Sequence, residues 1–133
     1  MAKRILIVDD EVNISLPLQE FLEEYGYEVH TTDTGKKALE IYEKSISGKP
    51  YDLILLDIIM PRMSGLEVLD TIRKSEKKRG VEVKNGIKII MISGMKESWM
   101  NDAFRDGCND YVVKPYDLDF LLMKVKGMLG DKD

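Results

Sequence analysis

Several polar side chains that could do chemistry follow short apolar runs in this sequence. Asp9 and Asp10 follow "RILIV", Asp57 follows "LILL", Ser93 follows "IIMI", and Lys114 follows "YVV". An unpaired carboxylate costs several kcal/mol to bury. An acid at the end of the most apolar segment of the chain, as Asp57 is, therefore needs a chemical reason for its position.

Brought to one place, these groups would suit the transfer of a phosphoryl group. Three carboxylates held close together repel one another, and a hard divalent cation such as Mg²⁺ relieves that repulsion while also binding phosphate oxygens. The ammonium of Lys114 can contact one phosphate oxygen, and the hydroxyl of Ser93 can donate a hydrogen bond to another. A carboxylate can form an acyl phosphate, and Asp57 is the candidate nucleophile because its apolar neighbours hold it in place.

The segments that carry these residues alternate between two patterns. Apolar runs predict strands over 4–9, 27–31, 51–57, 87–93 and 110–114, and helical spacing predicts helices over 14–25, 34–45, 64–78, 96–107 and 118–129. Strands that alternate with helices predict an α/β fold with a parallel sheet covered on both faces. Ligands of such sheets bind at the carboxyl ends of the strands, which is where the polar residues fall.

Pro17 lies within the first predicted helix. Proline lacks a backbone donor and crowds the carbonyl four residues before it. Two interpretations follow: the helix kinks at Pro17, or its regular part begins near Ser15 with the proline in the first position.

Composition limits the class of protein. The chain has 133 residues and a net charge of −4, which suits one domain and argues against non-specific binding to nucleic acid or acidic lipid. Cys108 is the only cysteine, so no internal disulfide can form, and a reducing compartment is expected. The first apolar run ends at Val8, too early for a signal peptide or a membrane span. We expect a cytoplasmic protein without membrane contact.

Four blocks, each at a predicted strand end, resemble the receiver domain of two-component response regulators, of the single-domain chemotaxis-regulator type. They are "ILIVDDE", "LILLDIIMPRMSGLEVL", "IIMISG" and "AFRDGCNDYVVKP". The resemblance covers about residues 3–129 and implies a single receiver domain over 1–133. It also implies a flavodoxin-like, three-layer α/β/α fold with five helices and the strand order 2-1-3-4-5.

The resemblance implies a phosphorylation site that depends on a metal ion. Asp57 matches the phosphoacceptor, Asp10 a direct Mg²⁺ ligand, and Asp9 a partner that acts through metal-bound water. The backbone carbonyl of Ile59 matches a further ligand beside Asp57. Mn²⁺ is the alternative ion.

The resemblance also assigns roles around the phosphoryl group. Lys114 matches the lysine that contacts it, and Pro115 matches a proline that follows a cis peptide bond. Ser93 matches the switch hydroxyl and Tyr111 the switch aromatic residue. Phosphorylation would recruit Ser93 and let the Tyr111 ring turn inward, which would shift a two-state equilibrium.

The expected partners also follow from the resemblance. The phosphoryl donor would be a sensor histidine kinase, a phosphotransfer protein or a small acyl phosphate. The domain would catalyse its own phosphorylation and dephosphorylation and would not be an enzyme with a separate substrate. A protein target would bind the face of helix four, strand five and helix five. Direct nucleic-acid binding is not expected. The domain would be a monomer or a phosphorylation-dependent dimer. We expect this face to carry Met95, Trp99, Met100, Tyr111, Tyr116 and Phe120, and Phe104 and Leu122 to pack in the core.

Two features depart from the family pattern. Ile59 is apolar at a position that influences how water reaches the acyl phosphate, and Met95 cannot orient a water either, so we expect slow self-dephosphorylation. The segment 76–86 is longer than in most members, and we interpret it as a surface insertion.

Three alternatives remain. A pseudo-receiver would bind partners without phosphorylation, and a receiver domain taken from a larger regulator or hybrid kinase would share these motifs. A haloacid-dehalogenase-type phosphatase needs a second aspartate two residues after the nucleophile, where this chain has Ile59, so this alternative is strongly disfavoured.

Overall fold

A computed structural model describes residues 2–94 and 96–131 of the chain. Five parallel strands form one sheet in the order β2-β1-β3-β4-β5. This order and the five helices confirm the predicted fold. The strands are β1 (Arg4–Val8), β2 (Glu28–Thr32), β3 (Leu53–Asp57), β4 (Lys88–Ser93) and β5 (Asp110–Val113), and the helices are α1 (Val12–Glu24), α2 (Gly35–Ile46), α3 (Gly65–Lys78), α4 (Glu97–Arg105) and α5 (Leu118–Leu129).

Alternation along the strands divides the core into two layers. Leu6, Ile54 and Ile89 face the layer of α2, α3 and α4. Their strand neighbours, such as Ile5 and Leu55, face the layer of α1 and α5. Strand β3 is buried at every position, because side chains from both layers cover it. Burying one such leucine or isoleucine side chain stabilises the fold by about 1.5–3 kcal/mol.

Pro17 lies inside α1, five residues after the first residue of the helix. The helix already runs regularly from Val12, so the interpretation in which its regular part begins near Ser15 is wrong. Its first turn has backbone hydrogen bonds from Ile14 and Ser15 to the carbonyl of Glu11. These bonds fix the start of α1 directly behind the first pair of aspartates.

Helix α3 begins immediately after the loop that follows β3. The hydroxyl of Ser64 accepts a hydrogen bond from the backbone N–H of Glu67 at 3.3 Å, which satisfies one of the free donors of the first turn. The backbone N–H of Gly65 donates to the carbonyl of Ile58 at 2.8 Å. Helix α3 is therefore attached at its first residue to the end of the strand that carries Asp57.

The other end of α3 holds a buried ion pair. Arg73 donates to Glu76 at 2.7 Å, to the carbonyl of Gly107 at 2.9 Å and to the side chain of Asn109 at 3.1 Å. Glu76 in turn accepts the backbone N–H of Ile87 at 2.7 Å. This network joins the insertion after α3 to the loops that precede β4 and β5, so the insertion is anchored at its base.

Within residues 2–94 and 96–131, none of the helices combines the length and the hydropathy that crossing a membrane requires.

Candidate functional site

The predicted site residues meet at the carboxyl edge of the sheet. Asp9 directly follows β1, Asp57 is the last residue of β3, and Lys114 directly follows β5. The ammonium nitrogen of Lys114 lies 3.0 Å from Oδ2 of Asp9 and 3.0 Å from Oδ2 of Asp57. One lysine thus joins the ends of two strands that are not sequence neighbours.

The second oxygen of each buried carboxylate is held by the backbone. Oδ1 of Asp9 accepts the N–H of Glu11 at 2.9 Å, and Oδ1 of Asp57 accepts the N–H of Ile59 at 3.2 Å. Both are bonds to the residue two positions further along the chain. Asp57 is only 4% exposed, and bonds to both of its oxygens fix its orientation.

Burial and charge act in opposite directions on these groups. Burial raises the pKa of Asp57 above its ordinary value of 3.8, Lys114 opposes this rise without cancelling it, and the charge of Asp9 adds to it. For Lys114, burial alone would lower the pKa, but hydrogen bonds to Asp57 and Asp9 and their charges outweigh burial, so its pKa is raised. The lysine therefore stays charged at neutral pH, while Asp57 carries negative charge in an unfavourable place.

Four acids cluster at this edge of the sheet. Asp9, Asp10, Glu11 and Asp57 each offer a carboxylate oxygen, and these oxygens lie within 4.8 Å of one another. Glu11 also lies 3.8 Å from Lys114. Hard oxygen donors in this number, with one ammonium to offset them, fit a divalent cation such as Mg²⁺. Glu11 is not among the metal-site residues predicted from the sequence, and its position directly after Asp9 and Asp10 is the signal that points to it.

Ser93 and Tyr111 meet on the neighbouring strands. Ser93 ends β4 and is buried, and its backbone carbonyl accepts the N–H of Lys114 at 2.8 Å. Its side chain lies beside the Tyr111 hydroxyl and partly opposes the rise that burial causes in the pKa of that phenol. The Tyr111 hydroxyl donates to the carbonyl of Gly94 at 2.9 Å. At 8% exposure the Tyr111 ring already points inward in this structure.

Gly65 is a site residue that the sequence reasoning missed. A β-carbon at this position would overlap the backbone carbonyl oxygen of Asp57. Only glycine lets α3 begin so close to the acidic strand end. The signal was the "MSGLEVL" stretch, in which a glycine follows a helix-capping serine.

Several other expectations concern the surroundings of the site. The peptide bond between Lys114 and Pro115 is cis, as predicted. The side chain of Ile59 is 55% exposed, while the role of its carbonyl as a ligand stays a prediction. Met95 lies outside the described residues.

The residues expected on the partner face do not share one environment. Trp99 and Met100 pack partly against the core layer of α2, α3 and α4, in which Tyr111 is fully included. Tyr116 packs against the opposite layer. Phe104, expected in the core, is 48% exposed because α4 turns the neighbouring Ala103 toward the core instead. Phe120 is exposed on α5 and Leu122 is buried, both as expected.

The comparison with protein families agrees with this geometry. The family model of the response regulator receiver domain matches residues 5–126. The chain belongs to the response regulator receiver family. It is therefore a receiver domain of the kind used in two-component systems.

Full-length regulators resemble this receiver domain over part of their length. The response regulator ArlR of Staphylococcus saprophyticus is 36% identical over 127 residues, which cover 95% of this chain and 52% of that protein. The transcriptional regulatory protein CrdR of Helicobacter pylori is 33% identical, over 98% of this chain and 57% of that protein. The receiver domain thus spans about half the length of the curated relatives it matches.

Solved structures resemble it over nearly their whole length. A CheY-like receiver domain protein from Methanospirillum hungatei is 34% identical, with a TM-score of 0.81 and coverage of 98% of this chain and 95% of that one. The response regulator TrrA from Thermotoga maritima, solved in complex with Mg²⁺ and BeF, is 44% identical, with a TM-score of 0.75 and coverage of 96% and 99%. The CheY-like, flavodoxin-type fold is shared.

Proposed function

We propose that this receiver domain accepts a phosphoryl group on Asp57 from the phosphohistidine of a sensor kinase or phosphotransfer protein. The observation that carries the proposal is the placement of Asp57: a buried carboxylate, 3.0 Å from Lys114, in a cluster of acids. The family of the chain supports the same role. The solved complex of TrrA with Mg²⁺ and BeF supports a site that needs a divalent cation.

The chemistry is a displacement at phosphorus. A carboxylate oxygen of Asp57 attacks the phosphorus, the bond from phosphorus to the imidazole nitrogen of the donor breaks, and that nitrogen keeps the electron pair. The product is an acyl phosphate on Asp57. Lys114 stays charged and lies at Oδ2 of Asp57, so it can neutralise an oxygen of the transferred group.

A metal ion would be held by Asp9, Asp10 and Asp57, with Glu11 beside them and the carbonyl of Ile59 as an expected ligand. When bound, Mg²⁺ or Mn²⁺ supplies charge neutralisation between the acids and the phosphoryl oxygens. The domain acts once per phosphoryl group and then hydrolyses its own acyl phosphate. In this proposal it is not an enzyme with a separate substrate.

The switch in this proposal begins at Ser93. A phosphoryl oxygen on Asp57 would draw the Ser93 hydroxyl away from Tyr111, whose own hydroxyl is held by the Gly94 carbonyl. That exchange would shift the loop after β4 and the face of α4, β5 and α5, to which a protein target would bind. Direct nucleic-acid binding is not part of the proposal, and the domain is a monomer or a phosphorylation-dependent dimer.

The surface beside the acids suits a protein donor. Val12 and Leu16 are exposed on α1, which begins directly after the acidic residues. Exposed aliphatic groups next to a reactive site suit a helical partner that presents its phosphohistidine there. Val12→Ser with Leu16→Ser should slow transfer from a phosphotransfer protein at least tenfold and leave transfer from acetyl phosphate unchanged.

The reducing environment expected from the single cysteine supports a cytoplasmic location.

Slow loss of the phosphoryl group is also part of the proposal. The exposed side chain of Ile59 has no group that can orient a water toward the acyl phosphate. Ile59→Asn should shorten the half-life of the phosphorylated protein, measured by intact mass after removal of the donor. A half-life of seconds in the unaltered protein, not shortened in the variant, would contradict this part.

The deciding experiment is incubation with acetyl phosphate, with and without Mg²⁺, followed by intact mass measurement. We expect one added phosphoryl group that requires Mg²⁺, is absent in Asp57→Asn, and is retained in Asp52→Asn. Asp52 is the matched control because it lies exposed at the opposite end of the same strand region. An adduct retained in Asp57→Asn would refute the proposal. No adduct from acetyl phosphate or from a phosphohistidine donor would favour a pseudo-receiver.

A further inference from the structure

A pocket lies at the end of α3, away from the acidic cluster. Its volume is about 530 Å³, and its lining is mostly apolar. It is bounded by the last turn of α3 and the first part of the insertion, through Arg73, Lys74, Lys77, Gly80, Val81, Glu82 and Val83. Pockets of about 300–1,000 Å³ accommodate ligands of drug size. Helix α3 has 14 residues, so its two ends are about 20 Å apart.

The base of this pocket is held rigidly. Arg73 forms one wall, and its guanidinium is fixed by Glu76, Gly107 and Asn109. Val81 is tied back to the helix, because its backbone N–H donates to the carbonyl of Glu76 at 2.9 Å. The buried ion pair and this backbone bond hold the first part of the insertion in one position beside α3. A preformed pocket loses little conformational freedom when a ligand binds.

The charge around the pocket is opposite to that of the whole chain. Residues 73–84 carry six lysines and arginines and two glutamates, whereas the full chain has a net charge of −4. Glu76 neutralises Arg73 within the network, Asp70 pairs with Lys74 at 2.8 Å, and Glu82 pairs with Lys84 at 3.4 Å. Among the described residues, 2–94 and 96–131, no acid forms an ion pair with Lys77, so its ammonium is available at the rim next to Val81 and the exposed Val83. The pocket therefore combines an apolar interior with a cationic rim.

We propose that this pocket, the α3-end pocket, docks an acidic segment of a partner protein that carries an apolar or aromatic anchor residue. The anchor fills the space between Val81 and Val83, and the carboxylates of the segment meet Lys77 at the rim and compete with Asp70 for Lys74. Complementary charge would set the orientation and speed of docking, and the anchor would supply the affinity. A nucleic acid or an acidic bilayer presents phosphates without an anchor of this size, and so fits the lysines but not the apolar interior.

The test starts from selection of a random 16-residue peptide library displayed on phage against the full chain. We expect enriched peptides to combine aspartate or glutamate with leucine, phenylalanine or tryptophan. Synthetic copies, measured by fluorescence anisotropy, should bind Lys77→Glu and Val83→Ser at least tenfold more weakly than the unaltered chain. Both positions are exposed, so these variants should fold.

Two controls separate this site from general charge and from the phosphorylation site. Lys36→Glu reverses an exposed lysine in the first turn of α2 and should leave peptide binding unchanged. Asp57→Asn should also leave it unchanged. Enriched peptides that bind Lys77→Glu and Val83→Ser as tightly as the unaltered chain would overturn the proposal. Enrichment of peptides that lack acids and apolar anchors would also overturn it. So would binding of the chain to lipid vesicles with one-fifth phosphatidylserine but to none of the peptides.

Discussion

Buried charges occupy both ends of helix α3, and the two ends differ in how those charges are balanced. At the last turn, Arg73 and Glu76 pair at 2.7 Å, and the remaining donors and acceptors are used by Gly107, Asn109 and Ile87. At the first turn, Gly65 abuts the end of β3, where one lysine pairs with three acids of a cluster of four. The first region is closed and neutral; the second carries excess negative charge.

This difference separates a structural ion pair from a functional one. A balanced buried pair orders the loops around it and needs nothing further from solution. An unbalanced cluster raises the free energy of the folded protein. Binding of a cation or a phosphoryl-transfer reaction can lower it again. The direction of the pKa shift agrees, because the pKa of Asp57 is raised by burial even though Lys114 lies 3.0 Å away. Removing an acid should therefore have opposite effects at the two ends.

Loss of Glu76 should produce the largest change. Glu76→Ala leaves the Arg73 guanidinium buried without its counter-charge and removes the acceptor of the Ile87 N–H. We expect the free energy of unfolding to fall by about 3–5 kcal/mol, measured by urea unfolding followed by circular dichroism. Glu82→Ala, at an exposed acid of the same insertion, is the control and should change little. A loss as small as that of the control would show that the pair does not hold the insertion.

A methyl group at Gly65 should have the next largest effect. In Gly65→Ala the new carbon overlaps the carbonyl oxygen of Asp57, so the start of α3 must shift. We expect a loss of about 1–3 kcal/mol in stability, with slower phosphorylation by acetyl phosphate. Gly127→Ala, in α5 with open space around it, is the control and should stabilise by up to about 1 kcal/mol. Equal effects at the two glycines would contradict the close approach.

Much of the fold and of the site could be predicted from the sequence, because the site residues lie where strands end. Apolar runs located all five strands to within one or two residues, and the polar residues after them gave Asp9, Asp57 and Lys114. What could not be read from the sequence depends on distances between elements. The overlap at Gly65 requires the position of α3 relative to β3. The inclusion of Glu11 in the cluster requires the turn before α1.

Surface and loop features were also beyond the sequence. Phe104 follows a helical apolar spacing, but its exposure depends on how α4 sits on the sheet. Arg62 has a φ of 71°, a conformation that usually favours glycine, in the loop between β3 and α3. The partnership of Arg73 and Glu76 has ordinary helical spacing, and only burial distinguishes it from the exposed pair of Lys74 and Asp70.

Removal of Asp57, the acid beside the first turn of α3, should stabilise the protein. In the presence of a chelator, Asp57→Asn removes a buried charge, and we expect the free energy of unfolding to rise at pH 7, as measured by urea unfolding. The folded protein holds the Asp57 proton more tightly than the unfolded chain does, because the folded pKa is raised above 3.8. Stability therefore falls as the pH rises from the unfolded pKa of Asp57 through its raised folded pKa. Below this pH range the gain in the variant should shrink toward zero. A destabilised Asp57→Asn protein at pH 7 would contradict the imbalance.

An exposed pair should show the smallest effect. Lys37, in the first turn of α2, lies 3.2 Å from Asp33, which precedes the helix, and both side chains are more than half exposed. Lys37→Ala should change the free energy of unfolding by about 0.5 kcal/mol or less. The same urea experiment measures it. A loss comparable to that of Glu76→Ala would show that burial does not decide which ion pairs stabilise this domain.

The most direct test of the central claim is a calorimetric titration with Mg²⁺ at pH 7. We expect one bound ion, at least tenfold weaker binding in Asp10→Asn and Asp57→Asn, and unchanged binding in Glu82→Gln, in the insertion after α3. Saturation at about one hundred times Kd should then raise the free energy of unfolding by about 2.7 kcal/mol. Absence of binding, or binding that both aspartate variants retain, would show that the unbalanced acids do not form a metal-dependent phosphorylation site.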